Sequence, residues 1–284
     1  TISIPAQGKL YYFRAIASNS AGSTVSRNLG VLLPNQLVGS ENLQGRWHFD
    51  AEDLNDSSGN NRHGTAVGLF NPSGTSGMQL WLDAADLTTA GSSWNDKSGN
   101  SNHATKNGSP TVVTNAQNGK SLMRYSGANN EYHSFNQING IRTVFWVIKK
   151  NGTDGDRFLL GLNTTHPSYD FHSNGNTILA TYGAASNGTM ALNGTNSATT
   201  STSFPQALSI ISLKTNVDVR ADSFSRDRAM ADRVWKGDLG ELIIFNSALS
   251  DTLIQKIEGY LAHKWGLVGN LPSGHPYKSI GPKL

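Results

Sequence analysis

Aromatic side chains in polar surroundings are the first residues that could do chemistry. The segment 166–174 reads HPSYDFHSN and places Tyr169, Phe171 and His172 among hydroxyl, amide and carboxylate groups. A ring face offers apolar contact to the C–H groups of a sugar, while neighbouring polar groups bond its hydroxyls. Period-2 alternation puts Tyr169 and Phe171 on one face and His172 on the other, so one of these faces could instead belong to the core. The carbohydrate-binding candidates are Tyr169, His172, Tyr132, Trp235 and Arg157.

Acidic residues form the second candidate group. The loop 151–156 reads NGTDGD, and Asp154 and Asp156 have the spacing of acidic ion-binding loops. A calcium ion needs about six to eight oxygen ligands that converge from several loops. Two interpretations are therefore open at this point. The two aspartates could form part of a calcium site, or the loop could be a solvated hairpin tip.

A polar motif occurs twice and also has the composition of a ligand loop. The sequence DAADL at 83–87 and DKSGNSNH at 96–103 repeats DAEDL at 50–54 and DSSGNNRH at 56–63. Asp, Ser, Gly and Asn are turn formers whose side chains bond nearby backbone amides. The pattern therefore favours a structural turn over a ligand loop.

Paired carboxylates for hydrolysis are not found in the sequence. Retaining glycosidases need two carboxyl groups about 5–5.5 Å apart, and jelly-roll glucanases supply them as Glu-x-Asp-x-x-Glu. That pattern is absent, and Glu241 has no acidic residue two positions away on either side. We expect Glu241 to be a structural hydrogen-bonding residue and the chain to be non-catalytic. A polysaccharide lyase that uses dispersed Tyr, His and Arg side chains stays open.

Charge and composition restrict the classes of partner that the chain could bind. The net charge is +3, from 23 basic and 20 acidic residues, and the longest basic run is Lys149-Lys150, which predicts no binding of nucleic acid or of an anionic membrane. The segment 220–233 alternates in sign and could grip an acidic glycan, but a solvated loop with internal ion pairs is the favoured interpretation. The sequence contains no stretch of 18 apolar residues, so it predicts no membrane-spanning helix. The chain has no cysteine, which excludes disulfides and thiolate metal sites.

The candidate side chains must be positioned by elements of secondary structure. The turn and strand signals in the sequence predict that these elements form an all-β fold. Asn-Gly, the favoured pair for a tight hairpin turn, begins at positions 107, 118, 139, 151, 174, 187 and 193. Short β-rich runs lie between such turns at 143–148, 158–162, 177–182 and 207–213. Strands of this length and spacing predict an antiparallel sandwich.

One strand is expected to be central, with a helix covering the sheet beside it. The run 237–246 reads GDLGELIIFN and is apolar on both faces around Ile243 and Ile244. Ser250 is placed as the N-cap of the helix that follows, and Gly266 as the left-handed residue that ends it.

Both ends of the larger part of the chain resemble a known family. The segments that carry the resemblance are LWLDAADL at 80–87, WNDKSGNSNHAT at 94–105, GDLGELIIFN at 237–246 and YLAHKWGL at 260–267. They are similar to the laminin-G-like branch of the concanavalin A-like jelly rolls, which occurs in large secreted bacterial proteins. The resemblance spans about residues 79–270 and is poor between 163 and 230. It implies a two-sheet antiparallel jelly roll, a role in carbohydrate binding or adhesion, and calcium as a frequent but not universal ion. With the helix that the residues themselves predict, the expected fold is an all-β jelly-roll sandwich with one C-terminal α-helix.

The beginning of the chain resembles a second family. Tyr11, Ala17, Asn19 and Gly22 match the last hairpin of a fibronectin type III domain. The predicted organisation is this hairpin at 1–33, read as two strands, a linker at 34–44, an orphan strand repeat and linker at 45–77, the jelly roll at 78–270, and a strap or linker at 271–284.

Two classes of function stay in competition, with an enzyme as a weaker third. The leading expectation is a non-catalytic carbohydrate-binding or adhesion module of a large extracellular or cell-surface protein, with a polysaccharide or cell-surface glycan as partner. The alternative is a structural spacer or filament-forming segment, because an incomplete hairpin and an orphan repeat leave strand edges that can pair with neighbouring copies or modules. The weaker alternative is a polysaccharide-active enzyme.

Overall fold

A computed structural model describes residues 11–13, 16–19, 22–25, 29–31, 70–152, 159–162, 170–227 and 233–283. The chain divides into two compact units, one over 1–69 with 283–284 and the other over 70–282. In the first unit β1 (Tyr11–Phe13) pairs antiparallel with β4 (Leu29–Val31). In the same unit β2 (Ile16–Asn19) pairs antiparallel with β3 (Gly22–Val25), with Asn19 opposite Gly22. The first copy of the repeat, at 50–63, lies outside the described residues.

The second unit is a mainly antiparallel β structure with one α-helix among its described residues. Eleven strands belong to one hydrogen-bonded system, and all of their recorded pairings are antiparallel. The strands are β5 (Met78–Asp83), β6 (Ser93–Trp94), β7 (Ala104–Asn107), β8 (Thr111–Gln117), β9 (Lys120–Ser126), β10 (Tyr132–Lys150), β11 (Leu160–Gly161), β12 (Thr189–Leu192), β13 (Thr195–Ser197), β14 (Ser209–Phe224) and β15 (Lys236–Phe245), and the helix is α1 (Asp251–Trp265). This composition confirms the predicted all-β class with a C-terminal helix and is consistent with a sandwich.

Strand β15 is central, as predicted. In the order of hydrogen-bonded neighbours, the main path of strands runs β13-β12-β14-β10-β15-β9-β8. In addition, β5 pairs with the second half of β15. Two apolar clusters cover the two faces of the sheet. An inner cluster includes Val144, Trp146, Leu239, Leu242 and Ile244, and a helix-side cluster includes Phe145, Ile243, Phe245, Leu261 and Trp265.

A register shift changes one detail of this pattern. Strict alternation predicts Leu239 on the face of Ile243, but Leu239 lies in the inner cluster. The register between β10 and β15 shifts between Val147 and Ile148, whose partners are Glu241 and Leu239, so that Gly240 is the extra residue of a bulge. A Cβ at Gly240 would lie 3.0 Å from the ring of Trp265, so the absence of a side chain there lets this ring approach the strand.

The helix begins and ends at the predicted residues. The side chain of Ser250 accepts a hydrogen bond from the Leu253 N–H, and Gly266 adopts φ 68° and ψ 30° in the left-handed region. The chain then folds back along the helix. His263 Nε2 lies 2.8 Å from the Tyr277 carbonyl oxygen, and the Lys278 ammonium donates to the Val268 carbonyl oxygen at 3.1 Å.

Two of the seven Asn-Gly pairs form the predicted hairpin turns. Asn118-Gly119 connects β8 to β9 and Asn193-Gly194 connects β12 to β13, all four residues with positive φ. Asn139-Gly140 instead lies inside the long strand β10, where the register to β14 shifts between Ile138 and Ile141. The prediction of short strands throughout is therefore wrong for β10 and β14, which have 19 and 16 residues. Register shifts, rather than turns, interrupt the pairing of these two strands.

One predicted strand is absent from the described residues. The run 177–182 has strand composition, but Ile178, Leu179 and Ala180 donate their amides to the Thr202, Thr199 and His172 carbonyl oxygens in turn. These acceptors do not belong to one neighbouring strand, so no ladder forms. The segment is nevertheless buried at Ile178, Leu179 and Ala180, which accounts for its apolar composition.

Candidate functional site

Four of the predicted site residues lie outside the described residues. These are the carbohydrate candidates Tyr169 and Arg157 and the calcium candidates Asp154 and Asp156. Their contribution to a binding site stays a prediction. Among the residues that the structure does describe, no group of three or more histidine, aspartate or glutamate side chains is placed to hold a metal ion.

Trp235 is not the surface ring that the sequence suggested. Its side chain is 0% exposed and packs against Phe204 and Phe224, with ring centroids 5.2 and 6.4 Å away. The backbone N–H of Trp235 also donates to Ser225 Oγ at 2.8 Å. Burial of this ring removes its apolar area from water and so stabilises the folded state, which an exposed ring would not do.

Tyr132 is half-buried and already has a cation on its ring. The guanidinium carbon of Arg226 lies 4.8 Å from the ring centroid, and Arg226 Nη1 donates to the Asn129 carbonyl oxygen at 2.8 Å. No hydrogen bond or ring contact joins Tyr132 or Trp235 to His172 in the part of the chain that the structure describes. The described candidates therefore do not form one site.

His172 is the predicted residue around which a polar and aromatic group assembles. The Tyr182 Oη lies 3.1 Å from His172 Nδ1, with the two ring centroids 4.8 Å apart. Arg233 Nη1 lies 3.3 Å from His172 Nε2 and donates to Asp227 Oδ2 at 3.0 Å. We call His172, Tyr182, Arg233 and Asp227 the His172 cluster.

The hydrogen-bond partners define the roles of the two imidazole nitrogens. His172 Nδ1 lies 2.5 Å from the Ser173 carbonyl oxygen, which can only accept, so Nδ1 carries a hydrogen. Nε2 faces an arginine N–H, which can only donate, so Nε2 accepts. The imidazole is thereby held at a fixed angle between Ser173 and Arg233.

Exposure distinguishes the members of the His172 cluster. The Tyr182 residue is 56% exposed, whereas His172 and Asp227 are buried. A buried imidazole and a partly buried ion pair thus lie beside one ring that is more than half exposed. This arrangement suits stacking on a sugar ring with hydroxyl contacts to polar neighbours.

Sequence reasoning missed Tyr182 and gave little weight to Arg233. Tyr182 ends the run that was predicted as a strand, where aromatic residues are ordinary core residues. Arg233 ends the segment of alternating charge that was interpreted as a solvated loop. The turn signal Tyr182-Gly183 was the one indication that this ring could leave the core.

The second copy of the repeated polar motif, at 96–103, is a structural turn. Asp96 Oδ1 accepts from the Trp81 and Ser98 amides, both at 2.8 Å, and Asp96 Oδ2 accepts from the Asn102 amide at 3.0 Å. His103 Nδ1 accepts from the Asp96 amide at 3.1 Å. The interpretation as a turn is confirmed, because both carboxylate oxygens are used by the protein's own amides.

A second group of buried charges connects β5, β15 and α1. Asp83 and Glu241 are direct partners in the β5–β15 ladder, and like charges at such positions repel. Lys264 Nζ lies between them, 2.7 Å from Asp83 Oδ2 and 2.8 Å from Glu241 Oε2. The indole N–H groups of Trp81 and Trp265 donate to Glu241 Oε1 and Oε2, both at 2.7 Å. We call these five residues the Lys264 network.

Burial and mutual attraction shift the pKa values in this network. Burial raises the pKa of Glu241, and this effect outweighs the nearby Lys264 ammonium. Burial would also raise the pKa of Asp83, but Lys264 and Lys97 together lower this pKa below its ordinary value. Burial opposes the charge on Lys264, but Glu241 and Asp83 raise its pKa above the ordinary value.

The Lys264 network draws its five residues from three of the segments that carry the family resemblance, near the start and the end of the second unit. Trp81 and Asp83 belong to the segment LWLDAADL, Glu241 to GDLGELIIFN, and Lys264 and Trp265 to YLAHKWGL. The expectation that Glu241 is a structural hydrogen-bonding residue is confirmed, since indole and ammonium donors occupy its two oxygens.

A cavity of about 170 Å³ lies between the β12–β13 hairpin, β14 and α1. At its wall Ser212 Oγ donates to Glu258 Oε1 at 2.5 Å, and His275 Nε2 lies 3.3 Å from Glu258 Oε2. His275 Nδ1 accepts from the Tyr277 amide, so Nε2 carries the hydrogen and donates to Glu258. The carboxylate lies between hydroxyl and imidazole, an order that differs from the hydroxyl–imidazole–carboxylate order of a Ser-His-Asp triad.

No α-helix among the described residues has both the length and the apolar character needed to cross a bilayer. Comparison with models of protein families gives no match, and comparison with curated proteins gives none either. The resemblance to laminin-G-like jelly rolls therefore rests on the quoted segments alone.

Proposed function

We propose that the second unit is a non-catalytic carbohydrate-binding or adhesion module that binds a glycan at the His172 cluster. The observation that carries the proposal is the exposed ring of Tyr182 beside the buried His172 and the Arg233–Asp227 pair. In this proposal the sandwich is a two-sheet jelly roll of the laminin-G-like kind, in a large extracellular or cell-surface protein.

The fixed neighbours of Tyr182 support a binding role. Its Oη lies next to an imidazole whose two nitrogens already have partners, so the ring is oriented before a ligand arrives. Preorganisation of this kind lowers the entropy cost of binding. Asp227 balances the charge of Arg233, so the cluster suits neutral as well as acidic glycans.

Binding to a panel of neutral and acidic polysaccharides tests the proposal. We expect Tyr182→Ala to weaken binding about fivefold, because one aromatic contact contributes about 1 kcal/mol, and Tyr182→Phe to keep most of the affinity. Val217→Ala removes another exposed apolar side chain and is the matched control. Affinity electrophoresis in which Tyr182→Ala binds as well as Val217→Ala would contradict the proposal.

The same proposal includes a calcium ion with Asp154 and Asp156 as its ligands. The panel is therefore run with calcium and with a chelator, and the Asp154→Asn, Asp156→Asn double variant is compared with the unaltered chain. A calcium-dependent change in binding or in melting temperature that the double variant loses is the expected result. Identical behaviour of the two proteins in both conditions would remove calcium from the proposal.

The alternative of a structural or filament-forming segment has one specific observation in its favour. Strand β8 lies at one end of the main path of strands and its seven residues, TVVTNAQ, carry no charge. Edge strands usually carry charges or prolines that prevent pairing with other chains. Light scattering over a range of concentrations tests this alternative, and a mass that stays monomeric throughout would refute it.

A further inference from the structure

We propose that the Lys264 network forms a covalent cross-link, an amide bond between Lys264 Nζ and the side-chain carbonyl carbon of Asp83, with Glu241 as the catalytic proton carrier. The bond would join β5 to α1 across 181 positions of sequence.

The reacting groups are already in contact. Lys264 Nζ lies 2.7 Å from Asp83 Oδ2 and 2.8 Å from Glu241 Oε2. The side chains of Asp83, Glu241 and Lys264 are 3%, 1% and 14% exposed. Contact of this kind replaces a bimolecular encounter by an intramolecular step, which removes the entropy cost of bringing the amine and the carboxyl group together.

Aromatic rings surround the amine. The ring centroids of Trp81, Tyr260 and Trp265 lie 5.7, 5.4 and 5.7 Å from Lys264 Nζ. These rings shield the three charged groups from solvent, and condensation releases water, so a site that excludes water favours the amide over its hydrolysis.

The proton transfers balance within the network. Lys264 begins as an ammonium and Asp83 as a carboxylate, and Lys264 first gives one proton to Glu241 Oε2, 2.8 Å away. Burial raises the pKa of Glu241, but the two carboxylates also raise the pKa of Lys264, so this transfer is uphill and slow. The neutral amine attacks the Asp83 carbonyl carbon and forms the N–C bond. Glu241 passes this proton, and then a second one taken from the attached nitrogen, to Asp83 Oδ2. The C–O bond breaks, one water leaves, and Glu241 returns to its starting state.

The protein supplies groups that stabilise the developing charge. The Ala85 amide donates to Asp83 Oδ1 at 3.0 Å, where negative charge grows when nitrogen attacks. Lys97 Nζ lies 2.7 Å from Asp83 Oδ2, the oxygen that leaves. Both oxygens of Asp83 thus have a donor in place beforehand, and Glu241 Oε2 lies 2.8 Å from the nitrogen that becomes positive.

Asp83 rather than Glu241 is the acceptor, and Lys264 rather than Lys97 is the amine. Both Glu241 oxygens accept an indole N–H, and loss of one oxygen would leave a buried donor without a partner. The Lys97 side chain is 42% exposed, so water keeps its ammonium solvated and unable to attack.

Intact mass of the purified full chain under denaturing conditions tests the proposal directly. The expected mass is one water molecule below that of the sequence, and a tryptic digest should contain one branched peptide that joins Asp83 to Lys264. A mass equal to that of the sequence would overturn the proposal, and so would a branch at Lys97 or at Glu241.

Three variants distinguish the chemistry from other losses of water. Asp83→Asn should lose ammonia instead of water, because an amide nitrogen is then the leaving group. Lys264→Arg should keep the full mass, and Glu241→Gln should slow or abolish the bond while circular dichroism reports a folded chain. A water loss that survives Lys264→Arg would refute the assignment even if the unaltered chain is lighter than its sequence.

Discussion

The imidazole of His133 is buried against two aromatic side chains. The Tyr125 Oη lies 2.7 Å from His133 Nδ1, and the Trp94 ring meets the imidazole edge-on at 5.4 Å. Burial, with a smaller effect of the positive Lys106, lowers the pKa of His133 from 6.5 to about 4. Among the described residues, no carboxylate is paired with His133 and its Nε2 has no hydrogen-bond partner, so a positive charge on this ring is not compensated there.

The pH dependence of stability follows from this shift. Between pH 6.5 and about pH 4 the unfolded chain binds a proton at His133 that the folded chain does not, so folding is disfavoured as the pH falls. We expect this residue alone to remove about 3 kcal/mol of unfolding free energy across that window. Urea unfolding from pH 7 to pH 4 should show the loss in the unaltered chain and not in His133→Gln.

Other groups contribute to the same curves, and a control separates them. The raised pKa values of Glu241 and Glu258 favour the folded state as the pH falls, but they act equally in both proteins. His103→Gln removes an exposed histidine and should follow the unaltered chain. Parallel curves for the unaltered chain and His133→Gln would show that the pKa of His133 is not depressed.

At the scale of elements, a hairpin tip terminates the helix. Asn118 Nδ2 donates to the Lys264 carbonyl oxygen and Gln117 Nε2 to the Trp265 carbonyl oxygen, both at 3.0 Å. These carbonyl groups have no partner within a helix that ends there. The turn between β8 and β9 and the end of α1 therefore satisfy each other's polar groups.

Gly266 makes this contact possible, and its replacement should be costly. It has φ 68°, and a Cβ there would lie 3.1 Å from the Asn118 side chain. We expect Gly266→Ala to lower the unfolding free energy by about 1–2 kcal/mol through the left-handed conformation and the crowding. Gly269→Ala is the matched control, since no atom lies within 4 Å of its Cβ position. Equal urea midpoints for the two variants would contradict this account.

At the scale of the whole second unit, the Lys264 network joins its early and late segments. Strand β5 comes near the start of the unit, and β15 and α1 come near its end. Strand β5 contributes Trp81 and Asp83, β15 contributes Glu241, and α1 contributes Lys264 and Trp265. A buried ion pair alone is weak evidence for stability, since desolvation offsets the attraction. The indole donors matter because they bond oxygens that have already lost water.

Removal of one indole donor measures this contribution. Trp265→Phe deletes the hydrogen bond from Nε1 to the buried carboxylate of Glu241, and we expect a loss of about 2 kcal/mol beyond the loss of ring volume. Trp146→Phe is the matched control, because Trp146 is as buried and its Nε1 has no hydrogen-bond partner in the described structure. Similar losses in thermal and urea unfolding for both variants would show that the hydrogen bond contributes nothing.

The sequence alone determined the β class, the central strand and both ends of the helix. These features depend on local composition and periodicity: Ser250 and Gly266 have side chains and backbone preferences that act within a few residues. Alternation around Ile243 and Ile244 likewise predicted that β15 is buried on both faces. The apolar residues of such elements can be recognised before any long-range contact is known.

The tertiary structure decided which polar and aromatic residues meet. Tyr182 and His172 are ten positions apart, but Arg233 reaches the same imidazole from 61 positions away. Asp83 and Lys264 are 181 positions apart, and no local signal distinguishes their contact from a solvated pair. Trp235 and Tyr182 have similar propensities, yet one is buried and the other exposed, because side-chain burial depends on how the strands and loops pack rather than on residue type.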